Sequence, residues 1–241
     1  MCTVSYLPLR DKGEFILTSN RDERVNRITL PPKFYTIRGK RIVFPKDAQA
    51  GGSWIAAGEK GRLGCLLNGA RVAHQKLPIH THSRGKVLID LVASAEDPVI
   101  FFSRYDLSAT EPFTIVSIDN VKDRAHSMLE FIWDGATKAL RYLDPGSPYL
   151  WSSVTLYDET ERETRNQWFD RFLEGSRSEL TPEMALEFHS GHHTADKRIN
   201  LLMQRDDQLR TVSITQMIND KNGIRMAYHD MIENEKFVKV I

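Results

Sequence analysis

The sequence predicts one α+β domain, residues 1–241, with sheets layered against helices. Three observations carry this. Blocks of strand pattern are separated by blocks of helix pattern, without strict strand–helix alternation. No internal repeat, low-complexity tract or linker divides the chain. A chain of 241 residues with 41% apolar side chains is long enough to bury a real core, and at about 150 residues per domain it allows one or two domains.

The first hundred residues read as strands and turns. Residues 3–9 and 15–18 flank Asp11-Lys12-Gly13 as a β-hairpin. Residues 23–49 are basic and broken by Pro31-Pro32 and Pro45, which predicts a long loop with short strands at 34–37 and 41–44. Residues 53–57 and 63–67, joined by Gly58-Glu59-Lys60-Gly61, form a second hairpin. Ser83 stands as an N-cap before Val87, Leu88, Leu91 and Val92, predicting a helix, and a short one follows at 98–105. Strands return at 113–118, 128–133 and 140–143. Residues 158–173 then read as a long amphipathic helix carrying Trp168, Phe169 and Phe172, and 181–188 as a shorter one with Pro182 at its first position. Strands at 211–218, 224–228 and 237–241 close the pattern around Asn222-Gly223.

Thirty-three basic against 32 acidic residues leave a net charge of +1, which excludes a broad electrostatic nucleic-acid binder. The cluster Arg24, Arg27, Lys33, Arg38, Lys40 and Arg41 reads as a solvated flap over a cleft. No run of 18 apolar residues predicts a membrane span. The first residues lack a secretory pattern, and two cysteines make no disulfide scaffold, so a soluble protein of a reducing, cytoplasmic compartment is expected.

Cys2 is the first candidate for chemistry. Removal of Met1 would give one residue both a thiol of pKa about 8.5 and an α-amine of about 7.7–8.0. Such an amine can act, directly or through water, as the base that activates its own sulfur. Thr18-Ser19-Asn20-Arg21-Asp22-Glu23 ends the hairpin that begins beside Cys2, so antiparallel pairing brings Arg21 and Asp22 toward it. A carboxylate there would orient the amine, and a guanidinium would favour thiolate. Asn68 ends an apolar strand at Gly69, where its amide can serve as an oxyanion donor or simply form a turn. Cys65 lies inside that strand and is expected to be buried and inert. His189, His192 and His193 with Asp196, and the looser set His74, His80 and His82, read as solvated loop residues or substrate contacts; no metal is expected. Arg84-Gly85-Lys86 reads as an exposed basic cap at a helix start.

Cys2, Asn20-Arg21-Asp22-Glu23, Gly51-Gly52-Ser53-Trp54, Leu67-Asn68 and Arg210-Thr211 occur in one order along nearly the whole chain. Together they resemble the NRDE family, also called the transport and Golgi organisation 2 family. The resemblance implies an N-terminal nucleophile hydrolase-like fold, a four-layer αββα sandwich of two antiparallel sheets, similar to penicillin V acylases and bile salt hydrolases. It implies Cys2 as nucleophile, Asp22 with Arg21 at its amine, Asn68 in the oxyanion hole and Arg210 as the late arginine. Ser153 stands where the acylase-like relatives carry a second asparagine. This departure implies either a differently built oxyanion hole or weakened hydrolysis. Trp54, Trp151 and Ser153 are expected at the substrate, with Tyr35 joining the two tryptophans in an apolar acyl pocket. No cofactor is expected.

Two functions follow as expectations. The first is hydrolysis of a non-peptide amide C–N bond of a small acylated molecule through a Cys2 thioester. The second is non-catalytic binding or trafficking of a small hydrophobic ligand, lipid or haem-like, on the same fold. A nucleic-acid-binding role for the basic cluster is the weakest reading, and nothing in the sequence sets the oligomeric state.

Overall fold

The computed structural model describes residues 3–119, 126–176 and 180–241; Cys2 lies outside the described residues. The first sheet is built from β1 (Thr3–Pro8), β2 (Phe15–Arg24), β10 (Tyr149–Ser152), β11 (Leu209–Asp220), β12 (Gly223–Asp230) and β13 (Glu235–Val240), in the spatial order β10-β1-β2-β11-β12-β13. The second runs in chain order through β3 (Thr29–Ile37), β4 (Lys40–Asp47), β5 (Ile55–Gly58), β6 (Leu63–Asn68), β7 (Phe113–Asp119), β8 (Ser127–Trp133) and β9 (Lys138–Leu143). Every pairing between these strands is antiparallel.

Three apolar clusters make four layers. Val4, Tyr6, Phe15 and Leu17 of one sheet meet Val43, Ile55, Cys65 and Val116 of the other in the central layer. The outer face of the second sheet is covered by α1 (Arg84–Ala93) and α2 (Pro98–Arg104) through Val87, Leu88, Leu91 and Phe102. The outer face of the first sheet is covered by α3 (Glu159–Gly175) and α4 (Pro182–Ser190) through Trp168, Phe169, Ala185 and Phe188. The inner strands β1, β5, β6 and β7 are buried at nearly every position, so each sheet needs a helix layer over its outer face. The αββα sandwich implied by the resemblance is the observed architecture.

The helices begin where local chemistry directs. Asp158 and Glu161 form a reciprocal capping box at α3, Thr181 caps Met184 N–H ahead of Pro182, and Asp97 accepts from Val99 and Ile100. Ser83 corrects the expectation made of it: it occupies the N-cap position of α1, but its side chain makes no capping bond. The start of α1 is instead set by close backbone packing. A Cβ on Gly85 would lie 2.7 Å from both N and O of Ser53, and one on Gly52 would lie 2.7 Å from the Gly85 carbonyl carbon.

Residues 23–49 are not a long loop. β2 runs on to Arg24, and β3 and β4 are full strands despite their prolines. β3 is an edge strand whose register shifts between Leu30 and Lys33, around Pro31-Pro32. Pro45 sits beyond the two residue pairs, Ile42↔Gly58 and Val43↔Ala57, that join β4 to β5. Proline is tolerated where no ladder bond is required of it. The basic residues expected in a flap are therefore spread over sheet strands and turns.

Candidate active site

The tetrapeptide Asn20-Arg21-Asp22-Glu23 lies within β2, not in a turn after it. Its side chains therefore alternate between the two faces of the sheet. Asn20 and Asp22 point to the helix layer. The Asn20 amide donates to the carbonyls of His189 (3.0 Å) and Leu201 (2.7 Å), and its oxygen lies 2.7 Å from His189 Nδ1. Asp22 accepts from the Thr211 hydroxyl at 2.6 Å and the Tyr157 hydroxyl at 2.9 Å. Arg21 points between the sheets. It donates to Asp47 at 3.0 Å, Thr29 at 2.9 Å and the Arg27 carbonyl at 3.2 Å, and its guanidinium sits 4.7 Å from the ring centre of Trp54. Burial pushes the Arg21 pKa down, and the Asp47 carboxylate pulls against that shift. Asp47 also pairs with Arg27 at 2.8 Å.

Asn68 ends β6, and its side-chain amide makes no hydrogen bond to a described residue. It lines two cavities. One, of about 400 Å³, also takes in Arg21, Trp54, His80, Arg84, Lys86 and Glu111. The other, of about 510 Å³, takes in Arg71, Glu130, Arg141, Trp151 and Ser153. Asn68 is tied to the start of β1 by two links. Thr3 pairs with Ser152 across β1 and β10, and the next residue, Ser153, donates from its hydroxyl to the Asn68 carbonyl at 2.7 Å. Gly69 follows with φ +84, and a Cβ there would meet Val154 Cγ2 at 2.5 Å, so glycine is what lets the two segments close together. Thr3 also pairs with Asn20, so β1 brings Arg21, Asp22, Asn68 and Ser153 around one strand end.

The remaining sequence-predicted residues separate into three groups. Trp54 is only 3% exposed, and its indole N–H has no partner among the described residues. Trp151 donates its N–H to Glu130 at 2.7 Å and stacks on Tyr149, while Glu130 is held by Arg141 at 2.6 Å. Arg210 pairs with Glu23 across β11 and β2 and lines a separate cavity of about 120 Å³ with Met203, Thr211 and Met231. The expected apolar acyl pocket is not what these residues form. Both cavities at Asn68 carry charged side chains, and Tyr35 stacks on Phe44 at 4.3 Å in the cluster covered by α1 and α2.

The expectation of solvated loop histidines is corrected at His189, whereas His192 is exposed in a loop and His80 and His82 line the cavity at Arg21. His189 ends α4 fully buried, with Nε2 2.7 Å from the Ser5 hydroxyl, and its pKa is pushed down to about 3 by burial, with the Arg165 and His193 charges adding to it. A neutral ring donates from Nδ1 to Asn20 and accepts at Nε2 from Ser5, which satisfies both nitrogens. His193 stacks on Trp168 at 5.0 Å. Among the described residues no His, Cys, Asp or Glu cluster could hold a metal ion. Cys65 is fully buried and its thiol is pushed up to about 12 by that burial, so it is inert at neutral pH.

Sequence reasoning missed Tyr157, Arg165 and Asp47. Arg165 had a visible signal: it lies three and four residues before Trp168 and Phe169, on the stripe of α3 that faces the sheet.

The comparisons agree with this fold. A family model described as Transport and Golgi organisation 2 matches residues 1–219. A Caenorhabditis elegans N-acylethanolamine-hydrolyzing acid amidase ortholog superposes with a TM-score of 0.60 at 13% identity, covering 90% of this chain and 92% of that one. A single-substitution variant of conjugated bile acid hydrolase from Clostridium perfringens gives 0.61 at 9% identity, covering 99% and 92%. Penicillin V acylase from Agrobacterium tumefaciens gives 0.58 at 8% identity, covering 100% and 86%. No match was found among curated proteins. At these identities the likeness establishes the fold, that of the N-terminal nucleophile hydrolases. No described helix is long and apolar enough to cross a membrane.

Proposed function

The chain belongs to the Transport and Golgi organisation 2 family, and from that premise we propose that it is a hydrolase of a non-peptide amide C–N bond with Cys2 as nucleophile. The observation that carries this reading is the pair of links that fasten Asn68, its amide unpartnered among the described residues, to the β1 end adjoining Cys2 in sequence.

Removal of Met1 frees the Cys2 amine, which takes the thiol proton as sulfur attacks the carbonyl carbon. The tetrahedral oxyanion accepts from the Asn68 amide. The C–N bond breaks as the ammonium returns its proton to the leaving nitrogen, releasing an amine and leaving a thioester. Water then gives a proton to the Cys2 amine and attacks the thioester. The C–S bond breaks, and the acid leaves with the thiol restored. Asp22, pinned by Thr211 and Tyr157, orients the amine. Arg21 stands on the opposite face of β2 and shapes the cavity wall with Asp47 and Trp54.

A second reading, non-catalytic binding of a small hydrophobic ligand, is favoured by one observation. The single hydroxyl proton of Ser153 is spent on the Asn68 carbonyl, so it supplies no second oxyanion donor. The two readings are separated by an amide-library turnover screen on protein whose mature N-terminus is verified by mass spectrometry. Turnover by the wild type and none by Cys2→Ala is expected. Retained turnover in Cys2→Ala, or intact Met1 in cells, overturns the mechanism.

A further inference from the structure

The segment Arg84-Gly85-Lys86, expected as an exposed basic cap, is instead part of the wall of the cavity of about 400 Å³ at Asn68. The Arg84 side chain is only 18% exposed. Five cationic side chains, Arg21, Arg27, Lys76, Arg84 and Lys86, line this cavity against three carboxylates, Glu23, Asp47 and Glu111. The carboxylates are already committed. Asp47 is shared by Arg21 at 3.0 Å and Arg27 at 2.8 Å, and Glu23 takes Arg27 at 3.0 Å. Glu111 lies 3.5 Å from Arg84 and 3.4 Å from His74. Lys76 and Lys86 meet no carboxylate among the described residues.

The donors of this wall are open as well as its charge. Arg84 spends only Nη1, on Glu111 and on the Pro112 carbonyl at 3.3 Å, so Nε and Nη2 have no described partner. Those two N–H groups form a planar fork that matches two oxygens of one carboxylate or phosphate. His80 accepts the Leu77 N–H at Nδ1, 3.0 Å away, which puts the proton of the neutral ring on Nε2 as a further donor. The Ser83 hydroxyl lines the same cavity and caps nothing. Burial pushes the Arg84 pKa down, Glu111 pulls against that shift, and the Arg27 charge adds to it. The two guanidiniums therefore share one electrostatic space, which an anion between them would relieve. An apolar ligand would strip water from these donors and give them nothing in return.

We propose that this cavity is a binding site for the oxyanion group of a small molecule, a carboxylate or a phosphate, gripped by the open fork of Arg84 with Lys86 and His80. The site goes beyond the hydrolase reading and requires no contact with Cys2. Joined to that reading, it means that the amide substrate carries its anion on the Arg84 side of Asn68. A volume of about 400 Å³ suits a metabolite rather than a macromolecule.

The test is an amide NMR titration of the full-length protein with succinate, with inorganic phosphate and with neutral butanediol. Saturable shifts centred on Gly52, Asn68, Gly85 and Lys86 are expected with the anions and none with the diol. Either anion saturating there supports the site, and the tighter of the two names the oxyanion. Arg84→Gln is expected to weaken binding about tenfold. Should that variant fail to fold, Lys86→Gln decides, because its side chain is exposed and has no described partner; a weakening of about threefold or more is expected. Lys12→Gln, exposed in the turn between β1 and β2, removes the same net charge away from the cavity and should leave the affinity unchanged. No saturation by either anion, shifts confined to other surfaces, or equal weakening by Lys12→Gln and Lys86→Gln overturns the proposal. None of the probes holds an amide bond, so their failure to bind leaves the Cys2 reading standing, and a Cys2→Ala chain that keeps full turnover leaves this site standing.

Discussion

His189 links acid stability to the helix layer that carries the NRDE strand. Its pKa falls from an ordinary 6.5 to about 3 because the ring is fully buried between Ser5 and Asn20. As pH falls through 6.5 the unfolded imidazole takes up a proton while the folded one stays neutral, so the unfolded state gains and stability declines. Stability from this group is full above pH 6.5 and is lost progressively toward pH 3. With those two values the loss is about 2 kcal/mol at pH 5 and about 3 kcal/mol at pH 4, relative to pH 7. His189→Gln keeps a donor and an acceptor on the side chain and cannot titrate. Urea unfolding of both proteins at pH 7 and pH 5 isolates the term, because His126 and His229, whose pKa values are also lowered by burial, contribute equally to each. The wild type is expected to lose about 2 kcal/mol more than His189→Gln over that interval. Equal losses within about 0.5 kcal/mol would mean that the folded ring protonates near its ordinary pKa, and the neutral Ser5–His189–Asn20 chain would be wrong.

Two further outcomes follow from the site. Gly85→Ala puts a methyl against the Ser53 backbone at 2.7 Å, where neither segment can rotate away; a cost of about 2 kcal/mol is expected, with Gly175→Ala, whose Cβ would meet nothing within 4 Å, near-neutral as the thermal-melt control. Asn68→Ala is expected to lower kcat on any amide the protein turns over by about 100- to 1000-fold without moving the urea midpoint, and an unchanged kcat would remove Asn68 from the oxyanion role.

The hairpins, the four helices and the late strands were legible because each is set by local signals: period-2 runs, a capping box at Asp158, a proline after Thr181. The extension of β2 was not. Read locally, Asn20-Arg21-Asp22-Glu23 is a polar turn. It becomes a buried strand only because His189, Asp47 and Tyr157, each remote in sequence, supply partners for side chains that would otherwise be too costly to bury. The prolines of β3 and β4 misled for a related reason, since their tolerance depends on which side of the strand has a neighbour. Gly51-Gly52-Ser53-Trp54 was recognisable as a motif. Its physical basis, a glycine-to-glycine approach at the start of α1 just before Trp54, lies in pairing that no sequence window contains. The charged lining of the cavities was hidden for the same reason, as Arg71, Arg141 and Lys86 come from three separate segments.

β1 is hydrogen-bonded on one side to β2 and on the other to β10, and β2 in turn waits for β11. The β1–β2 hairpin therefore remains an open ribbon with both edges bare until residues 149–152 and 209–220 have been synthesised. Closing so wide a gap is entropically slow. Assembly of the pocket around residue 3 is consequently a late event in biogenesis, one that nascent-chain truncation anywhere before β11 leaves undone.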